Sequence, residues 1–570
     1  MLKILKIKDP LYGYVNIAGE DIYKIINSSQ FHRLKRIIQT SYTAVYPSAT
    51  HNRFTHSIGV YYLGTLAMES LKKELGEKKF DKKDIDSYCK TFLLACLLHD
   101  VGHSPFSHSG EKYYAKENIW EQLIKQLSDE QFTKDANGKT KGAEHEIMSS
   151  LLAISCYWDI LNKFDKSLFV RCIIGLKYSD KNDVRNCFID LLNSETIDVD
   201  KLDYLIRDTM YTGFASVTID YKRLLSSVCI IQNREETSLG FKKSALSTLE
   251  SVVLARDMEK KWIQNHPVIK YESFLVDHMI SSVNKYYENL GIKVFCLNAL
   301  TTDGISCKDK FYKLPYELKE DDIFKKFQAG KDLSKNEQKS LRDKINKGSQ
   351  ELNKIRLLSD SDIIYVAKNC IANDECIDEY FDRNLRKKAL WKSEAEYKLH
   401  FSLGTFGPEI IRKLNEKINS IEKVFNTLST EPFINENLLK YFEEELRKNS
   451  ENKEPIMQKI SKQRAEEIQS TIDFIMFFKR YSEANDIKFN FAILSDKQYN
   501  TGFTKMEFKN IKIQFETGVK NLSEVVQVLE SKKIDDTYFY IYANNKDILD
   551  NKINVTTFLK ELNTYCIQKS

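Results

Sequence analysis

The stretch Thr91–His108, TFLLACLLHDVGHSPFSH, constrains the fold more than any other part of the chain. Its first eight residues are apolar apart from one threonine, so a helix formed there is apolar all round and has to be buried. Gly102 loosens the end of that helix, and Pro105, which has no N–H to donate, stops it continuing. His99 and Asp100 therefore sit at a helix terminus. Successive helical side chains diverge by about 100°, so one ion touches both only from a position between them. A neutral imidazole with a carboxylate suits a divalent cation such as Mn, Fe, Mg or Zn. On its own an HD dipeptide is more often a structural turn, so the surrounding residues decide.

Seven of the ten histidines, His32, His51, His56, His99, His103, His108 and His145, fall before residue 150. In HNRFTHSIG, Arg53 and His56 share one helical face, which makes Arg53 a candidate phosphate clamp beside a candidate metal ligand. Downstream, IDVDKLDYLIRD sets Asp200, Tyr204 and Asp208 at four-residue steps along one face of one helix, with Lys201 beside the first. Leu202 and Leu205 point inward, and Asp203 with Arg207 reads as a surface pair elsewhere on that helix. His32 and His51 read as ordinary polar packing.

Apolar residues recur at three- and four-residue spacing from Leu63 to Leu75, Phe92 to Leu98 and Met148 to Leu161. With only eight prolines and few alternating segments before residue 290, a mainly α-helical fold is expected. At 570 residues more than one compact unit is needed. The divisions expected are a core over 1–300, a helical lobe and extension over 301–480, and a small α/β or β-rich domain over 485–570, where KFNFAIL, NIKIQFE and TYFYIYA read as strands. Residues 316–356 are charged and poor in large apolar groups, as exposed helices or a mobile insertion would be.

The net charge of +5 is small beside 86 basic and 81 acidic residues, and no basic stripe supports nucleic-acid binding. No apolar run spans a membrane, and the opening MLKILKIKDPLYG lacks a signal-peptide core, so a cytoplasmic protein is expected. Eleven cysteines without a CxxC pair read as reduced thiols. NGKT at 137–140 is no phosphate-binding loop, because Thr133 stands where its first glycine belongs.

DPLYGYVNI, SSQFHRLKRIIQTSYTAVYPSATHNRFTHSIGV, HDVGHSPFSHSGE and IDVDKLDYLIRDTMYTGF occur in succession. Together they resemble the signatures of the HD-domain deoxynucleoside triphosphate triphosphohydrolases, over roughly residues 1–290, with a weaker echo at LLSDSDIIYVAKN near 357–369. The resemblance implies an HD-type helical core in which His56, His99, Asp100 and Asp200 hold one divalent metal ion. It implies that a dNTP is cleaved to deoxynucleoside and inorganic triphosphate, with Arg53, His103, Lys201 and Arg256 on the phosphates. His108 and His145, with Glu111 orienting an imidazole, are the implied acid–base groups. Gln39, Tyr204 and Asp208 are implied to face the sugar and base.

A regulatory nucleotide, a homo-oligomer and a role in dNTP control or antiviral defence come with the same resemblance. Asn27 and Lys35 replace the acidic residue and arginine that read an activating guanine nucleotide in regulated members. Two other readings keep the residues but change the role: an HD-type nucleotide phosphodiesterase or nucleotidase, and a sensor that binds nucleotides or single-stranded nucleic acid. The DYLIRD string weighs against the first, and four intact metal-ligand positions weigh against the second.

Overall fold

A computed structural model describes residues 4–114, 118–214, 217–289, 357–401, 407–428, 432–450, 455–495, 511–526 and 539–568, with isolated positions between 334 and 340. The architecture is the mainly α-helical one expected, with three small sheets. The chain forms two compact units. One comprises Met1–Lys260, Met279–Ala372 and Thr501–Lys532; the other comprises Lys261–His278, Asn373–Asn500 and Lys533–Ser570.

The first unit opens with the antiparallel hairpin β1 (Ile4–Asp9) and β2 (Gly13–Ala18), turned at Gly13 with φ 79°. Its helices begin where their caps dictate. Asn52 accepts from the Thr55 N–H to start Arg53–Glu77, Asp81 from Lys83 to start Lys82–Leu98, and Asp198 from Lys201 to start Val199–Thr212. Gly213, left-handed at φ 64°, ends the last of these. As expected, Phe92, Leu94, Ala95, Cys96, Leu97 and Leu98 are buried, and Lys82–Leu98 ends at His99. β3 (Val228–Gln232) and β4 (Thr237–Lys242) pair as a second hairpin.

The second unit is built on a sheet of order β5 (Lys387–Ala389), β10 (Phe539–Asn544), β7 (Phe491–Ser495), β6 (Phe433–Ile434). Helices Gly407–Leu428, Glu436–Ser450, Pro455–Ala484 and Val555–Gln568 accompany it, and the core is aromatic: Trp391, Phe478, Phe491 and Phe558 are at most 1% exposed.

The linear division into 1–300, 301–480 and 485–570 gives way to this interleaved one. The three C-terminal strands exist but do not all share one sheet. β8 (Lys512–Phe515), with β9 (Gly518–Asn521), lies parallel to β4, bringing the buried Ile513 opposite Phe241 in the first unit. β7 and β10 pair in the second. The scarcity of strands expected before residue 290 also fails at the two hairpins. Apart from isolated positions, the expectation for 316–356 lies outside the described residues. Among the described residues, no helix is long and apolar enough to cross a membrane.

Candidate metal and phosphate site

Three helices of the first unit bring His56, His99, Asp100 and Asp200 together. The Nε2 atoms of His56 and His99 are 3.3 Å apart. Asp200 Oδ1 lies 2.9 Å from the first and 3.6 Å from the second. Asp100 completes the group, with Oδ2 3.5 Å from His56 Nε2 and Oδ1 3.4 Å from His99 Nε2. For metal–ligand bonds of about 2.0–2.2 Å, neighbouring donors lie roughly 3.0–3.5 Å apart, so this spacing fits a shared ion.

The chemistry of the donors suits a cation. His99 Nδ1 is 2.9 Å from the Cys96 carbonyl and His56 Nδ1 is 2.7 Å from Asp203 Oδ2, and both oxygens only accept. When each ring keeps a single proton, on Nδ1 in these bonds, the two Nε2 atoms turn lone pairs toward one another and toward two carboxylates. In that protonation state four acceptors meet with no donor between them, and a cation, either a proton or a metal ion, joins them. Burial disfavours a charged His56, but its hydrogen bonds to Asp200 and Asp203 outweigh this and raise it to about 9. Burial opposes the charge on Asp200 as well, yet the histidines hold it well below the usual carboxylate range. A proton thus stabilises this site, and a divalent ion competes for the same donors.

Asp203 is the residue that sequence reasoning misplaced. Its pairing with Arg207 is real, at 2.8 Å, but both side chains are fully buried rather than on the surface. Arg207 also reaches Asp9 at 3.0 Å, and the Tyr12 hydroxyl donates to Asp203 Oδ1 at 2.8 Å. This network fixes the ring of His56. It needs Gly59, since a Cβ there would stand 1.9 Å from Asp203 Oδ1. The HNRFTHSIG glycine was a visible signal for that close approach.

Beside this group stands a second cluster. Glu111 Oε1 is 2.5 Å from His108 Nδ1, 3.0 Å from His145 Nδ1 and 3.6 Å from His103 Nδ1. His103 stacks on His145 with centroids 4.2 Å apart, and its Nε2 lies 3.1 Å from Asp100 Oδ1. Burial, then Arg53 and His145, keeps His103 well below its ordinary value and neutral. Burial opposes a charge on His145 too, but Glu111 outweighs it and raises this pKa. Arg53 spans the clusters, donating to Asp100 at 2.9 Å and to Ser107 Oγ at 2.9 Å, with Nη2 3.4 Å from His108 Nε2.

The loop carrying His103 and His108 is held from behind. Phe106 and Ser107 have φ of 54° and 58°, a left-handed region costly for residues with a Cβ. Asp360 offsets that cost by accepting from the Phe106 and Ile38 N–H groups at 2.6 and 2.7 Å, and burial pushes its pKa up to about 7. Buried Arg33 donates to the carbonyls of Val101, His103 and Leu358. Neither residue was singled out from sequence, although Asp360 lies in the 357–369 echo.

The remaining expected residues fall along the helix Val199–Thr212 and its neighbours. Lys201 Nζ is engaged by Asp198 at 2.5 Å and the Ser194 carbonyl at 2.7 Å, so in this state it is held at the helix start. Arg256, on Leu246–Glu259, acts electrostatically on Lys201 and Tyr204. Burial raises Asp208 to about 7, and His51 Nε2 lies 2.7 Å from its Oδ1. His51, read as plain packing, therefore positions Asp208. Gln39 is buried, and its Oε1 has no protein partner among the described residues. His32 is exposed, with its ring centroid 5.9 Å from that of Phe54.

Residues 53–150 match the family model described as the HD domain. The chain carries an HD domain. That span supplies His56, His99, Asp100 and the Glu111 cluster, while Asp200 comes from beyond it. An uncharacterized protein of Bacillus subtilis is 29% identical over 49% of this chain and 56% of its own length. The protein of Dictyostelium discoideum named deoxynucleoside triphosphate triphosphohydrolase SAMHD1 homolog is 27% identical over 49% of each chain. Its chicken namesake without "homolog", SAMHD1 of Gallus gallus, is 25% identical over 51% of this chain and 47% of its own. The chain spans about half the length of the curated relatives it matches. A hypothetical protein from Aquifex aeolicus has the same fold, with a TM-score of 0.52, 18% identity, and coverage of 98% of this chain and 100% of that one.

Proposed function

We propose that the HD domain is a metal-dependent dNTP triphosphohydrolase, releasing deoxynucleoside and inorganic triphosphate. The observation that carries the reading is the meeting of two Nε2 atoms and two carboxylates, the nitrogens 2.9–3.6 Å from one another and from carboxylate oxygens, beside a cluster of three imidazoles on one glutamate. The similarity to relatives named as dNTP triphosphohydrolases supports the choice of substrate.

His56, His99, Asp100 and Asp200 would hold the metal, which when bound supplies Lewis-acid polarisation of a phosphoryl group. Arg53, already between the two clusters, binds and orients the triphosphate, with His103, Lys201 and Arg256 adding donors or charge as negative charge builds on the α-phosphate. Water attacks the α-phosphorus as the bond to the 5′-oxygen breaks: His145, whose pKa Glu111 raises, donates a proton to the departing 5′-oxygen, and His108, on the same carboxylate, takes the proton that the water loses. Tyr204 and Asp208 hold the deoxyribose, and Gln39 contributes its unsatisfied amide oxygen to the nucleoside. A regulatory nucleotide and a homo-oligomer belong to the same reading.

The test incubates the full chain and a divalent metal with each dNTP and rNTP, singly and in pairs, and identifies the products by chromatography. Triphosphate with deoxynucleoside is expected. Pyrophosphate with a monophosphate, or binding without turnover, would overturn the reading.

A further inference from the structure

A further cluster of metal-ligating side-chain types lies within the other compact unit. His278, on the helix Pro267–Asn289, places Nε2 2.8 Å from both oxygens of Asp374. The thiol of Cys376 joins them: one donor atom from each residue falls within 4.8 Å of the others. The cysteine is 3% exposed, and both other side chains are mostly covered. Asp374 is preset, because its Oδ1 also accepts from the Cys376 and Ile377 N–H groups at 3.1 Å, which fixes the turn opening Glu375–Phe381.

The surroundings favour a cation as well. Asp374 and Cys376 line a cavity of about 610 Å³ whose wall also carries Glu375 and Glu436, with Lys488 as the opposing charge, paired to Glu375. Imidazole nitrogen, carboxylate oxygen and thiolate sulfur together select zinc over magnesium or calcium.

We propose that His278, Asp374 and Cys376 form a zinc site with three protein ligands, the fourth position being filled from the cavity by water or a small anionic donor. It goes beyond the hydrolase reading and does not depend on it. Binding forms a Zn–S bond as the Cys376 S–H proton leaves to solvent, and the proton that His278 Nε2 shares with Asp374 is given up to solvent, leaving a neutral ring protonated on Nδ1 whose Nε2 lone pair binds. The ion ties Pro267–Asn289 to a segment about a hundred residues later in the chain.

The full chain, stripped with chelator and equilibrated with zinc, is measured for metal by mass spectrometry beside Cys376→Ser and His278→Gln. Each variant is expected to lose one zinc per chain, and cobalt-loaded wild type to show a thiolate charge-transfer band that Cys376→Ser lacks. Equal metal content with an unchanged cobalt spectrum in both variants would overturn the proposal. Should the variants not fold, zinc X-ray absorption of the wild type decides: with the HD site filled by nitrogen and oxygen donors, about half a sulfur per zinc is expected, and a shell without sulfur overturns it.

Discussion

The two compact units bury their polar groups for different ends. In the first, charged side chains go fully under cover in chains of contact: Asp9–Arg207–Asp203–His56 on one side, Arg53–Asp100–His103 on the other. Among the described residues of the second, the interior includes Trp391, Tyr397, Phe401, Phe478, Phe491 and Phe558, with buried charge in pairs such as Lys387 with Glu379. Taking an ion out of water costs several kcal/mol even after relaxation. A chain that does so repeatedly around one point gains something besides stability there, whereas an aromatic core repays its ordering by area alone.

The contrast can be broken most readily at its strongest point. Asp200→Asn removes a carboxylate from the four-acceptor group and should lower hydrolysis roughly 10³-fold or more, measured as triphosphate release at saturating metal. His145→Gln should lower kcat by about 10²–10⁴ while leaving metal content unchanged; loss of the metal instead would merge the two clusters into one. Trp391→Ala should cost about 3–5 kcal/mol in denaturant unfolding, with hydrolysis retained by the folded fraction. A loss of activity in that fraction as large as for Asp200→Asn would erase the distinction between the units.

Smaller effects sharpen the picture. Asp203→Asn leaves every metal donor in place but frees the ring of His56, so metal affinity should fall about 10–100-fold, read by competition with a chromophoric chelator. The pH profile is the most delicate. Because Glu111 raises the pKa of His145, the protonated, donating form persists to higher pH, and activity falls as pH rises through that value. Glu111→Gln removes the raising charge, so the alkaline limb should move to lower pH.

What was legible in the sequence follows the same division. His56, His99, Asp100 and Asp200 stood out because unusual residue types recur in short strings, and three helices bring them within 3.6 Å. The supports did not. Asp203 sits in an i, i+4 spacing that describes a surface ion pair and a buried one equally well, and only the packing of Gly59 against it separates the two. Asp360 acts on backbone N–H groups more than 250 residues away, a partnership with no local pattern. The strands at 491–495, 512–515 and 539–544 were readable as strands, but their partners were not, since parallel pairing of β8 with β4 depends on contacts remote in the chain.

The shared ion is best tested by crystals grown with manganese, from anomalous scattering recorded at the manganese edge. One strong peak within bonding distance of His56 Nε2, His99 Nε2, Asp100 and Asp200 is the expected result. Contradiction would be a map empty at that point, with the four side chains hydrogen-bonded to one another and manganese found elsewhere or nowhere.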